Sequence, residues 1–73
     1  MTSKPTEKEI NFILKLFSLR KLEEAKKQID KDLIKYPNCA ILFNILGAVY
    51  TESNETKEAL KNYKKAISAD SNY

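Results

Sequence analysis

Few residues in this chain of 73 could carry out chemistry. Nucleophilic catalysis through a Ser–His or Cys–His pair needs a histidine as base, and there is none. The one cysteine, Cys39, cannot form an internal disulfide, nor a zinc site of the usual Cys/His kind. It falls at the start of an expected helix, where the dipole can lower a thiol pKa, but with no base beside it a space-filling role is expected. The one glycine, Gly47, excludes a Gly-rich phosphate loop, which needs two or three. Glu23 with Glu24, or Asp30 with Asp32, could be read as acid/base pairs. Residues one or two apart point to different faces of a helix, so neither pair converges on a substrate. Tyr50 and Tyr63 read as core fillers whose hydroxyls reach the edge. No catalytic residue, metal ligand or cofactor contact is expected, and the segment is not expected to be an enzyme.

Lysine is the other source of chemistry. Lys27, Lys31 and Lys35 form one row, and Lys57, Lys61, Lys64 and Lys65 another. Such rows can meet phosphate or acidic lipid. Here Asp30, Asp32 and Glu58 interrupt them, and pairs such as Glu23–Lys27 and Lys26–Asp30 have the spacing of helical ion pairs. A solvated face is expected, with neither nucleic acid nor membrane as partner. The net charge is only +3, and 42% of the residues are hydrophobic against 32% charged. That is too apolar for disorder and too polar for a membrane span. Met1 to Lys8 lacks the apolar stretch of a signal peptide, so a cytoplasmic location is expected.

The elements that would position these side chains are helical. Ile10, Ile13, Leu14, Leu16 and Phe17 recur at spacings of three and four. So do Leu22, Ala25, Ile29, Leu33 and Tyr36, then Leu42, Ile45, Leu46, Val49 and Tyr50, then Ala59, Leu60, Tyr63, Ala66 and Ile67. Thr6 and Glu9 have the spacing of a capping box. Pro37 ends the second helix, because the residue before proline resists the α conformation. Asn38 is expected to cap the third helix, and Asn54 to take a left-handed turn before the fourth. The expected spans are 6–18, 21–36, 39–52 and 55–69. No strand is expected. Short connections favour antiparallel neighbours.

The second half carries Phe43-x2-Leu46-Gly47-x2-Tyr50, then Ala59-x3-Tyr63, then Ala66. This resembles the tetratricopeptide (TPR) signature, whose period is about 34 residues. One period back, Ala59 falls on Ala25, Glu58 on Glu24, Tyr63 on Ile29 and Asn72 on Asn38, with Pro37 as the closing proline of the first repeat and Ser71 as its counterpart. The resemblance implies an all-α fold: two helix-turn-helix hairpins, four antiparallel helices in all, stacked as a short right-handed superhelix. Residues 1–5 would be a tail, 6–39 the first repeat and 40–73 the second. In the signature Gly47 and Ala59 let two backbones approach, and Phe43, Leu46, Tyr50 and Tyr63 fill the space around them. The first repeat departs from it: Glu9 stands for the aromatic, Ile13 for the glycine and Asp32 for a small residue. Ile13 is expected to spread the first hairpin.

TPR proteins hold a peptide or helix in a concave groove lined by the first helix of each repeat. Carried over, the resemblance implies a groove of Ile10, Leu14, Phe17 and Ser18, then Ile41, Asn44, Ile45, Ala48, Thr51 and Glu52. Apolar residues stand where the carboxylate clamp of the family begins, which argues against that clamp. The expected function is a non-catalytic protein–protein interaction module or scaffold. It would bind a peptide, a helix or its own copy, with a dimer as the expected form. The alternative implied by the resemblance is the front end of a larger bacterial enzyme, such as a transferase, serving substrate recruitment or dimerisation. Two repeats are fewer than a stable solenoid usually needs. The outer side of the last hairpin is therefore expected to lack a cover, with Leu42, Val49, Tyr63 and Ile67 as candidates. The first helix, apolar nearly all round, is expected to be covered by a partner.

Overall fold

The computed structural model describes residues 4–70. Four helices follow one another: α1 (Glu7–Ser18), α2 (Leu22–Lys35), α3 (Ala40–Glu52) and α4 (Thr56–Asp70). Among the described residues there is no strand. Ser71 and Asn72, the partners of Pro37 and Asn38 one period on, lie outside the described residues, as does the start of the tail.

Each helix begins or ends within a residue or two of its expected place, for local reasons. Thr6 caps α1 through its hydroxyl, which accepts from the Glu9 N–H, while the Glu9 carboxylate accepts from the Thr6 N–H. This is the expected capping box. Asn38 is not the cap of α3. Cys39 occupies that position, makes no side-chain capping bond and is buried. The apolar environment of Cys39 outweighs the capping preference of the neighbouring asparagine.

The two hairpin turns close through the same pair of bonds. Arg20 and Asn54, one period of about 34 residues apart, both have a φ of 62°. After α1, the Lys21 N–H reaches the Leu16 carbonyl and the Arg20 N–H that of Phe17. After α3, the Glu55 N–H reaches Tyr50 and the Asn54 N–H reaches Thr51. Both are Schellman caps, in which a left-handed residue lets the chain reverse while satisfying the last carbonyls.

α3 occupies the centre. Leu42, Leu46 and Val49 join Ile13, Leu16, Ala25, Ile29 and Cys39 in one buried cluster. This corrects the expectation that Leu42 and Val49 lie uncovered, since both are fully buried. Of that set only Ile67 is largely exposed, while Tyr63 is half-buried over Gly47. α3 and α4 share the most extensive contact, and α1 and α2 meet much less closely. The physical cause lies in one position. A Cβ built on Gly47 would stand 2.7 Å from Cε1 of Tyr63, so any larger residue would have to displace that ring. Ile13, at the matching place in α1, is fully buried and fills the wider gap.

Ion pairs tie the elements together, though not the pairs expected from helical spacing. Glu23–Lys27 and Lys26–Asp30 do not form. Lys26 instead donates to Glu55 at 2.7 Å and to Glu23 at 3.0 Å, with its Nζ 4.9 Å from the centre of the Tyr50 ring. Its bond to Glu55 holds its pKa above the ordinary lysine value. This buried lysine thus joins α2 to α3 and to the turn before α4.

Candidate functional site

The expected groove residues lie on α1 and α3. Both helices end at one ion pair, between Arg20 after α1 and Glu52 at the end of α3. That pair holds the two C-terminal ends side by side. On this face Leu14 is 42% exposed and Ile41 is 51% exposed. Ile10, Phe17 and Ile45 are half-buried and pack against the core cluster, and Ala48 is half-buried. Ser18, Asn44, Thr51 and Glu52 are exposed. Ile41 and Asn44 also border α4: with Ala40, Ala66, Ile67 and Asp70 they line a shallow cavity of about 220 Å³. Two members of the expected groove therefore sit where it meets the end of the last hairpin.

The remaining apolar residues in and just after α1 divide between surface and core. Phe12 and Leu19 are exposed, whereas Ile13 and Leu16 are buried. Phe12 stands between two shallow clefts on the outer side of the first hairpin. Neither cleft carries a nucleophile with a base. Among the described residues no group of three or more His, Cys, Asp or Glu is placed to hold a metal ion. No helix among them is long and apolar enough to cross a membrane.

The residue that sequence reasoning undervalued is Glu9. It stands in place of an aromatic and fastens the start of α1 to the end of α2. Its Oε1 accepts from the Thr6 N–H and from the Tyr36 hydroxyl, both at 2.9 Å, and its Oε2 from Lys35 at 3.1 Å. These bonds, that of the Thr6 N–H foremost, lower its pKa from 4.5 to about 2. The same carboxylate raises the pKa of both Tyr36 and Lys35. A carboxylate with a folded-state pKa below its unfolded value stabilises the fold above the unfolded value. That contribution is lost as pH falls from 4.5 towards 2. Thermal melts across that range should show Glu9→Gln losing less stability than the wild type. Parallel losses would mean that the cluster carries no net linkage.

Asp32 was expected to interrupt a lysine row at the surface and to mark a small-residue position. It is buried instead, at 3% exposure. Gln28 donates to its Oδ1 at 3.1 Å, and no protein donor reaches its Oδ2. Asp30 is exposed, so the two carboxylates face apart, as their spacing requires.

Compared with protein families, curated proteins and solved structures, the chain matches none of them.

Proposed function

We propose that this chain is a non-catalytic protein–protein interaction module of the TPR kind, which binds a peptide, a helix or its own copy along the face of α1 and α3. The carrying observation is the apolar strip on that face. Leu14 and Ile41 are exposed, and Ile10, Phe17, Ile45 and Ala48 are half-buried on the same two helices, with Asp70 beside Ile41 and Glu52 paired to Arg20 as the bordering charges. Burying such a strip yields about 25 cal/mol per Å² before association costs are subtracted. The TPR reading is supported by the repeated Schellman turns and by the seat of Tyr63 on Gly47.

Leu14 is the position at which to test this. Ile45 packs against the buried cluster, so a charge there would cost stability as well as binding. Light scattering over a wide concentration range should show reversible association of the wild type. Leu14→Glu should abolish it while leaving the helical circular dichroism unchanged. Association of Leu14→Glu equal to wild type would remove the groove as the binding face. A wild type that stays monomeric throughout would remove the second copy as occupant and leave a foreign peptide.

A further inference from the structure

The outer face of α4 is a second surface, which adjoins the expected groove at Ile41 and Asn44, and the first hairpin shows how such a face is covered. On α2, Lys26 lies beneath the Tyr50 ring of α3, Ile29 is fully buried and Leu33 packs against the core. One period of about 34 residues further on, the same positions of α4 are Leu60, Tyr63 and Ile67. Leu60 is 55% exposed and Ile67 69% exposed. Where α2 carries a lysine that pairs with its own neighbours, α4 carries a leucine. The uncovered face is thus more apolar than the covered one. Ile41 of α3 extends it across the shallow cavity beside Ile67.

Charge selects the occupant. Lys57 and Lys64 stand three residues before Leu60 and Ile67, so they form a parallel row along one side of the apolar ridge. Both are exposed, and neither makes an ion pair among the described residues. Lys61, by contrast, pairs with Glu58, and Lys65 lies over the Phe43 ring. A second copy fits this face poorly. Antiparallel pairing of α4 with itself about a two-fold axis would set the Lys57–Lys64 row against its own image. Head-to-tail stacking would press α1 onto α4 as α3 lies on α2. The positions of α1 that match the buried Leu42 and Val49 are Lys8 and Lys15, both exposed, and stacking would bury them unpaired.

We infer that the outer face of α4 docks an amphipathic acidic helix of another protein, one with apolar residues at i, i+4 and i+7 and carboxylates along one flank. The spacing is that of Leu42, Leu46 and Val49, the ridge that α3 presents to the core. Leu60 and Ile67 of α4 would receive the apolar ridge, and Lys57 and Lys64 the carboxylates.

The probe is a fluorescein-labelled helical peptide of about 20 residues, with leucine at that spacing and glutamate on one flank. Its anisotropy is followed as the whole chain is added. Saturable binding is expected, weakened about tenfold or more by Leu60→Glu with Ile67→Glu. Added salt should weaken it, because exposed charges are screened. Leu14→Glu should leave it unchanged, which separates this face from the groove. Leu60 and Ile67 are exposed enough for both variants to fold, and circular dichroism checks this. The inference is overturned if the peptide fails to bind or binds the double variant equally well. It is overturned too if a lysine-flanked version binds as tightly. Light scattering gives a further test: a wild-type dimer that the double variant alone disperses would make the occupant a second copy.

Discussion

Gly47→Val is expected to destabilise the protein by about 3 kcal/mol, at the upper end of the penalty for overpacking a filled contact. The Cβ alone would meet Cδ1, Cε1 and Cζ of Tyr63 at 2.7–2.9 Å, well inside contact distance. Alanine at this place is a weaker test. Its helix propensity is better than that of glycine by about 1 kcal/mol, which offsets much of the clash. Valine adds two methyl groups to the same crowded spot and gains less in propensity. A chain this small has a total stability of only about 4–11 kcal/mol at typical values per residue. The melting temperature should therefore fall by at least about 10 °C. The clash is specific to one ring, so it can be isolated. In a double-mutant cycle, Tyr63→Ala should cost less in the valine background than in the wild type, with a coupling above about 1 kcal/mol. Additive effects would mean that α4 moves away as a body and that the Gly47–Tyr63 contact does not set the spacing of the hairpin.

Asp32→Ala should do the reverse and raise stability by about 1–3 kcal/mol, the usual cost of a buried polar atom left without a partner. The Oδ2 of Asp32 is such an atom. The residue also lies in the last turn of α2, where the helix dipole disfavours negative charge. Alanine removes both penalties and is the better helix former. Against this stands the bond from Gln28, but that side chain is half-buried and water can replace the lost acceptor. One period on, Ala66 fills the matching place and is buried without difficulty. Urea unfolding should show a higher midpoint at an unchanged slope. Asp32→Asn should gain less, because it removes the charge but keeps a polar group in the same buried place. A lower midpoint for Asp32→Ala would show that the carboxylate holds α2 in place.

The two variants probe the places where the hairpins differ. Gly47 lets α3 and α4 close, whereas Ile13 keeps α1 and α2 apart. Both differences were visible as departures from the repeat. What Asp32 does in the buried space was not visible, because spacing alone cannot show whether a polar residue meets a donor there.

Local rules made much of the fold legible in the residues themselves. The capping box of Thr6 and Glu9, the break at Pro37 and the left-handed Asn54 all follow from interactions within a few residues. Arg20 takes the same left-handed conformation although its type does not announce it. The repeat would have located it, since it aligns with Asn54. The groove candidates came from the resemblance to the TPR pattern and not from periodicity; of them, Leu14 and Ile41 are exposed.

Periodicity could not say which face another helix covers. Leu42 and Val49 have the same apolar character as Leu60 and Ile67, yet the first pair is fully buried and the second exposed. Nor could it assign the partners of Lys26 and Glu9, which lie 29 and 27 residues away, at Glu55 and Tyr36. Helix type and length rest on contacts within one or two turns, so the sequence by itself determined four helices and their ends. Burial and ion pairing between elements depend on how those helices stack, and the tertiary structure alone decided them. It places α3 against α2 and, among the described residues, leaves the outer face of α4 without a neighbour.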